Sequence, residues 1–187
     1  MKENLQLPTD KINIPSLLKR YHFSEGDYAL IDELVNEIKP LLSPVLYYSL
    51  NEKSTQANAL LTLGIGIDQL SSKYTSDGIL LKSYAIDCIA CELLSIAYTQ
   101  MIDIVEHYSH KFVCHMEFLG SKYPLEMIDD FIKLLKPEEI SANSSFMLTP
   151  QKTVCLILPL SDTPVNHNKN HSYCLQCQNL DCDMRQT

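Results

Sequence analysis

Three cysteines close to the end of the chain form the most chemically distinctive group in the sequence. They follow one another as Cys174-x2-Cys177-x4-Cys182, in a polar segment that also contains His167 and His171. Thiolates at such spacings can bind one tetrahedral zinc ion or an iron–sulfur cluster, with a fourth ligand from either histidine or an interior cysteine. Redox-active thiols and an inert tail are the alternatives. The candidate metal ligands are Cys174, Cys177, Cys182 and His171.

A pair of glycines, Gly64 and Gly66, follows an apolar run that is typical of a buried strand. Glycines at such a turn let backbone amides approach the pyrophosphate of a dinucleotide at a helix N-terminus. However, Gln69 stands where the third glycine of that motif would be, and Asp68 would place a negative charge beside the phosphates. The sequence therefore favours a tight strand-to-helix turn over a nicotinamide or flavin site.

The remaining cysteines lie in apolar surroundings. Cys88 and Cys91 have the spacing of a redox pair, but isoleucine, alanine and leucine surround them, which favours small core residues. Cys114 and Cys155 are assigned to the core for the same reason. His115 follows Cys114, yet no acid or nucleophile partner lies nearby in the sequence, so a cysteine hydrolase is not favoured.

The composition predicts a single acidic, soluble domain. The chain has 187 residues, of which 45% are hydrophobic, and this is enough for a core of its own. A net charge of -8 without any basic run argues against a nucleic-acid partner. Apolar stretches fall short of the ~20 residues that span a bilayer, and the start of the chain lacks a signal-peptide pattern. We therefore expect a cytoplasmic protein that binds neither nucleic acid nor membrane.

Helical and extended patterns alternate along the chain without a regular strand–helix–strand series, which favours an α+β fold. Helices are predicted over residues 14–21, from an N-cap at Asp27 to about 42, and over 68–74, 77–108 and 124–135, the fourth being the central helix. Strands are predicted over 45–50 and from 57 to the glycine turn, and more weakly over 110–118. The clearest hairpin joins 145–149 to 153–160 through a turn at 150–152. Residues 1–13 are interpreted as a loose lead-in, residues 1–160 as one domain, and 161–187 as a Cys/His-rich tail.

Several short motifs occur in an informative order along residues 14–185. They are Leu17-Leu-Lys-Arg-Tyr21 with a following Glu-Gly-Asp loop, Leu60-Leu-Thr-Leu-Gly-Ile-Gly-Ile-Asp68, Asp87 in the long helix, Tyr123-Pro-Leu-Glu126, Ser144-Ser-Phe-Met-Leu-Thr-Pro-Gln-Lys-Thr-Val154, and the cysteine-rich ending from Cys174 to Arg185. In this order they resemble the activation (reactivation) domain of cobalamin-dependent methionine synthase, in the compact free-standing form of anaerobic bacteria.

The resemblance implies both a fold and a function. The fold would be a C-shaped single α+β domain with a twisted antiparallel sheet, flanking helices and one long central helix. The function would be that of a reactivation-type subunit for a corrinoid-dependent methionine synthase or methyltransferase. Such a subunit binds S-adenosylmethionine and docks over a partner module that holds cobalamin. It supports reductive methylation of cob(II)alamin, with the electron coming from a flavodoxin- or ferredoxin-type donor.

The stretch before Pro124 supplies the candidate ligand site. In the family, an arginine and a Pro-Gly-Tyr turn hold the methionine carboxylate and the adenosine at this place. Here a histidine falls where the arginine would be, and a Gly-Ser-Lys-Tyr sequence replaces the turn. The residues that the resemblance assigns to S-adenosylmethionine are His115, Gly120, Ser121, Lys122 and Tyr123.

A second function stays open because of these differences. Without arginine the ligand carboxylate loses a bidentate contact, and Glu117 adds an opposing charge to the stretch. The alternative is a diverged, non-catalytic relative that docks on a corrinoid protein and binds a metal ion or iron–sulfur cluster through its C-terminal cysteines. The sequence assigns no catalytic residue in either case.

Overall fold

Antiparallel pairing of the apolar runs builds the main sheet of the protein. The computed structural model describes residues 1–120 and 122–165. Its strands are β1 (Lys2–Asn4), β2 (Val45–Leu50), β3 (Gln56–Thr62), β4 (Phe112–Val113), β5 (Glu117–Phe118), β6 (Ser141–Ala142), β7 (Leu148–Thr149) and β8 (Thr153–Ser161). The main sheet has the order β1-β2-β3-β8-β4, with β5 also paired to β8, while β6 and β7 form a separate pair. Strand β8, the last strand of the described residues, therefore lies inside the sheet.

Helices cover both faces of this sheet, which explains why its long strands are almost continuously apolar. The helices are α1 (Ile14–Arg20), α2 (Tyr28–Ile38), α3 (Ile65–Ser76), α4 (Leu80–Ser109) and α5 (Met127–Leu135). The larger cluster of buried side chains joins α1 to α4 to one face and includes Leu61 and Leu156. The smaller cluster joins α5 to the opposite face and includes Leu60 and Ile157. Successive strand residues thus enter different cores.

The long central helix α4 is confirmed as a core element. Its 30 residues have a mean hydropathy of 1.5 over the most apolar window, which by length and composition alone would allow a membrane span. The core helix of a soluble protein meets the same criterion, and here Ile86, Ile89 and Leu93 are fully buried in the larger cluster. This packing accounts for the apolar residues on the buried side of α4, and a soluble, cytoplasmic protein stays a prediction.

Several helix boundaries differ from the sequence prediction: α3 begins at Ile65 instead of 68, and α4 begins at Leu80 instead of 77. Asp27 does precede α2, but its carboxylate accepts from the Ser24 backbone and hydroxyl at 2.9 and 2.7 Å, so it closes the preceding turn instead of capping the helix. The helix ends at Ile38 and a short 3-10 turn continues to Leu41. Helix α5 begins at Met127, because a separate turn after Pro124 precedes it.

The predicted hairpin is wrong, because its two strands lie in different sheets. In β7, Leu148 lies opposite Ala142 of β6. In β8, Thr153 lies opposite Thr62 of β3, and pairing continues along the whole of β3. The apolar strand β3 offers β8 a much longer hydrogen-bonded partner than the two residues of β7, so the distant pairing replaces the local one.

The prediction of a loose lead-in over residues 1–13 is also wrong. Glu3 of β1 lies opposite Leu46 of β2, and Leu5 is buried. The Lys2 ammonium bridges Glu138 and Glu139 at 2.7 and 2.8 Å. Pairing at a sheet edge uses backbone groups, so it leaves little periodicity in the side chains for sequence analysis to detect.

Candidate functional site

Side chains of the predicted ligand loop converge on one buried carboxylate, that of Glu117. Lys122 Nζ donates to Glu117 Oε1 over 2.7 Å, and the Tyr123 hydroxyl donates to Oε2 over 2.9 Å. His115 Nε2 lies 3.1 Å from Oε1. The Glu117 side chain is only 3% exposed, whereas that of Lys122 is 62% exposed. We call His115, Glu117, Lys122 and Tyr123 the Glu117 cluster.

Hydrogen bonding keeps Glu117 ionised despite its burial. Burial by itself raises the pKa of this carboxyl, but hydrogen bonds from Lys122, His115 and Tyr123 outweigh it and hold the pKa at about 2. The same contact raises the pKa of the Lys122 ammonium. At neutral pH the carboxylate and the ammonium therefore neutralise each other within the loop.

The backbone closes the loop that carries these residues. Gly120 has a φ of 92°, and its N–H donates to the carbonyl of Tyr123 over 2.7 Å. A Cβ on Gly120 would lie 3.0 Å from the Leu125 side chain, so glycine suits both the backbone angle and the space. Ser121, the remaining predicted residue of this turn, lies outside the described residues.

An apolar cleft of about 500 Å³ opens on the same side of the sheet as Glu117. Glu117 lies opposite Ile157 of β8, whose side chain belongs to the core under α5. Leu119 is two positions further along and lines the cleft, as residues two apart in an extended chain share a face. The cleft has the volume of an ordinary small-molecule site. Its apolar lining includes Leu119, Leu125, Ile128, Phe146 and Met147, and its polar lining includes Gln151, Lys152 and Thr153.

Protein atoms occupy the space that a Cβ would need on either glycine of the turn. Gly64 has a φ of 93°, and a Cβ there would lie 2.0 Å from Ser43 Oγ. A Cβ on Gly66 would lie 2.5 Å from the carbonyl oxygen of Leu41. The glycines thus admit the neighbouring chain segment at close range. The strand-to-helix interpretation is confirmed, and the packing accounts for both glycines without a phosphate.

Charged side chains tie the loop before β8 to two helices. The backbone N–H of Gln151 donates to Asp68 Oδ2 of α3 over 2.6 Å. Lys152 Nζ lies 3.0 Å from Asp87 Oδ1 of α4. Because both contacts come from neighbouring loop residues, the loop holds the starts of α3 and β8 against the N-terminal third of α4.

Two buried threonines complete this connection. The Thr153 hydroxyl donates to Thr62 Oγ1 of β3 over 2.8 Å, and Thr62 Oγ1 also accepts from the N–H of Gly64 over 3.1 Å. Both threonine side chains lie in the interior. A buried polar group needs such partners, so the pair satisfies groups that would otherwise destabilise the fold. We call Thr62, Asp68, Asp87, Lys152 and Thr153 the β8 clamp.

The predicted core cysteines divide by exposure. Cys88 and Cys155 are buried, as predicted, and Cys114 is half-buried. Cys91 is exposed, so its assignment to the core is wrong. Three residues turn a helix by about 300°, which moves Cys91 away from the face of α4 that buries Cys88. Burial raises the pKa of the Cys88 thiol to about 11, so this thiol is protonated at neutral pH.

The predicted metal ligands Cys174, Cys177, Cys182 and His171 lie outside the described residues. Within residues 1–120 and 122–165, no three His, Cys, Asp or Glu side chains are grouped so that they could hold a metal ion. The metal or cluster site in the tail therefore stays a prediction.

Comparison with known proteins gives a match in structure. No family model matches the sequence, and no curated protein matches it. The crystal structure of the MetH reactivation domain bound to AdoHcy matches with a TM-score of 0.63, covering 94% of this chain and 83% of that one at 9% sequence identity. This chain has the MetH reactivation-domain fold. The α+β class and the resemblance drawn from motif order are confirmed as a likeness of fold.

Within the reactivation-domain fold, the motifs that carried the resemblance supply the β8 clamp. Asp68, Asp87 and Lys152 all belong to those motifs, but sequence reasoning did not predict that they make contacts around one loop. It also treated Glu117 as an opposing charge and missed its role as the common acceptor. The sequence does contain one indication of this role: Glu117 lies two positions after His115 and five before Lys122, close enough for both side chains to reach its carboxylate.

Proposed function

We propose that this chain acts as a reactivation-type module in a corrinoid-dependent methionine synthase or methyltransferase system. Agreement in fold with the MetH reactivation domain over 94% of the chain carries the proposal. The module would dock on a partner that holds cobalamin, and a flavodoxin- or ferredoxin-type protein would supply the electron. Because one fold can host different chemistry, the contacts of the ligand loop decide which ligand the module takes.

S-adenosylmethionine would bring to this site an adenosyl group and an amino acid with a carboxylate. The apolar cleft suits the adenosyl group in volume and lining. The carboxylate finds a poorer partner, because the Lys122 ammonium and the His115 imidazole already contact Glu117. A lysine ammonium is also a point charge that does not replace a bidentate arginine. These contacts do not fit the amino-acid end, and we derive no methyl transfer through it.

This misfit favours the second function for the ligand site, in which a diverged relative docks on a corrinoid protein without supplying the methyl group. The fold would then provide the docking surface. The tail residues Cys174, Cys177, Cys182 and His171 would bind a metal ion or an iron–sulfur cluster. The support for the tail site is the spacing of its thiols.

Calorimetric titration tests docking and ligand binding separately. We expect the full chain to bind an isolated corrinoid-binding module of methionine synthase with a dissociation constant of about 1–10 μM, and S-adenosylmethionine to give no saturation up to about 1 mM. The absence of a complex with the corrinoid module would refute the reactivation-type role. A dissociation constant near 10 μM for S-adenosylmethionine would instead refute the misfit at the loop.

Metal analysis of anaerobically purified protein tests the tail. We expect near-stoichiometric zinc or iron in the wild type and its loss in the Cys174→Ser, Cys177→Ser double variant. Cys91→Ser is the matched control, because it removes an exposed thiol from the folded domain. A metal-free wild type with every thiol freely titratable would contradict the tail site.

A further inference from the structure

The Glu117 cluster has the composition of a carboxylate-binding site, yet the carboxylate in it belongs to the chain itself. An ammonium, a phenol and an imidazole surround the two oxygens of Glu117 at 2.7 to 3.1 Å. Donors of this kind bind a ligand carboxylate through the same charge-assisted hydrogen bonds. In this loop those donors are already engaged.

Two features hold the Glu117 carboxylate in place. Its backbone belongs to β5, in register with Ile157 of the interior strand β8. Its loop is closed by the hydrogen bond from the Gly120 N–H to the Tyr123 carbonyl. A ligand carboxylate could reach Lys122 only beside the negative charge of Glu117, and like charges at such short range disfavour each other.

The neighbouring cleft offers contacts of a different chemical kind. Leu119, Leu125, Phe146 and Met147 give it an apolar wall. Its polar members are Gln151, Lys152 and Thr153, and the Lys152 ammonium is already engaged by the Asp87 carboxylate at 3.0 Å. Aromatic rings and methionine sulfur pack well against the flat face of a heterocycle such as a purine. The cleft thus suits a neutral nucleoside, while the adjoining loop disfavours an acidic group attached to it.

We infer that Glu117 determines ligand specificity by standing in for a ligand carboxylate, so that the cleft takes an adenosine thioether without an amino-acid end. This inference rests on the proposed function, because that function supplies the adenosyl class of ligand. Lys122 and Tyr123 then hold the loop closed over Glu117. S-adenosylmethionine and AdoHcy, which carry the extra carboxylate, bind less well than the same nucleoside without it.

Calorimetric titration of the full chain with two probes tests this specificity. The probes are 5′-methylthioadenosine and AdoHcy, which share the adenosine and the sulfur but differ in the amino-acid end. We expect wild-type protein to bind 5′-methylthioadenosine at least about ten-fold more tightly than AdoHcy. Equal binding of the two probes, a preference for AdoHcy, or no binding of either would overturn the inference.

Substitution of Glu117 should change the affinity for AdoHcy but not the affinity for 5′-methylthioadenosine. Glu117→Gln keeps the shape and removes the charge, so Lys122 becomes available and AdoHcy should bind about ten-fold more tightly, with 5′-methylthioadenosine changed by less than about two-fold. Glu126→Gln removes the same charge from an exposed position just before α5 and should leave both affinities unchanged. Loss of both probes by Glu117→Gln would assign Glu117 a structural role and overturn the inference.

Lys122→Met in the Glu117→Gln background gives a second test. The ammonium that Glu117→Gln frees is then removed, so the gain in AdoHcy affinity should disappear, with 5′-methylthioadenosine bound as in the single variant. A gain in AdoHcy affinity that persists in the double variant would mean that Lys122 does not meet the ligand carboxylate and would contradict the inference. The docking titration is run on the same samples. Intact docking with failed nucleoside selectivity overturns the inference alone, whereas failed docking overturns the proposed function.

Discussion

The β8 clamp and the Glu117 cluster use similar side chains at different distances along the chain. In the clamp, the Thr153–Thr62 contact spans 91 positions and the Gln151–Asp68 contact spans 83. In the cluster, Lys122 and Glu117 are five positions apart. Contacts between distant segments fix how elements pack, whereas contacts within one loop fix the shape and charge of that loop. The clamp therefore maintains the fold, and the cluster fixes the charge that the loop presents.

This difference explains how a chain can keep the fold of the MetH reactivation domain at 9% sequence identity. Changing one residue of a long-range contact leaves a distant partner unsatisfied, often in the interior. Changes at several residues of a short loop can compensate one another within that loop, as the Glu117 carboxylate balances the charge of the Lys122 ammonium. Function can therefore diverge at the cluster while the clamp stays intact.

The largest effect on stability is expected from Gly64→Ala, at the turn beside the clamp. Alanine would have to adopt a φ of 93° and place its Cβ 2.0 Å from Ser43 Oγ. Rotation of the hydroxyl still leaves the Ser43 Cβ and carbonyl oxygen at 3.1 Å, so we expect a loss of about 3 kcal/mol in the free energy of unfolding. Gly78→Ala is the matched control, because its φ of 75° is also positive but no atom lies within 4 Å of the added Cβ. The control should lose about 1 kcal/mol. Urea unfolding measures both, and equal losses would show that crowding at Ser43 contributes nothing.

An intermediate, pH-dependent effect is expected from Glu117→Gln. Folding lowers the pKa of Glu117 from 4.5 to about 2, so the ionised carboxylate stabilises the fold above pH 4.5 and this contribution is lost as the pH falls towards 2. Because its partner Lys122 is exposed, we expect the variant to be about 1–2 kcal/mol less stable than wild type at pH 7. The gap should shrink between pH 4.5 and 2.5 in urea unfolding measured at each pH. A gap that stays constant over this window would exclude the charge of Glu117 as its source.

The smallest effect is expected from Asp87→Asn in the charged part of the clamp. The Asp87 carboxylate lies 3.0 Å from Lys152 Nζ but is 51% exposed, so solvent screens the pair. We expect a loss below about 0.5 kcal/mol that decreases further in high salt. Glu33→Gln, which removes the pair with Lys82 at 2.9 Å, provides a comparison at a similar exposure. A loss well above that of Glu33→Gln would show that the charged contacts hold the fold as firmly as the buried threonines.

The elements predicted correctly from the sequence are those whose pattern is local. The buried face of α2 and the strand β2 follow directly from the spacing of apolar residues. At Gly64 and Gly66, the absence of the third glycine of a dinucleotide-binding motif indicated a tight strand-to-helix turn. The sequence did not show which side of α4 is exposed. Cys91 lies only three residues after Cys88, but this rotation about the helix axis moves it out of the buried face. Local periodicity therefore predicted most helices and the longer strands.

What the sequence did not predict depends on partners far along the chain. The segment that ends at Thr149 and the one that begins at Thr153 look like a hairpin, yet each pairs with a different strand. Residues Lys2–Asn4 pair through their backbone, which gives no side-chain pattern. The Glu117 cluster was not predicted for another reason. The sequence interpretation assigned Lys122 to the carboxylate of a ligand, whereas the carboxylate of Glu117 in the same stretch is its partner.

The position of β8 has a consequence for how the protein is made. Strand β3 pairs with one edge of β8, and β4 and β5 pair with the other, although all three precede β8 in the chain. During translation these strands leave the ribosome before their common partner exists. The main sheet can be completed only after Ser161 has emerged, so until then β3 and β5 present unpaired edges of the kind that chaperones protect from aggregation.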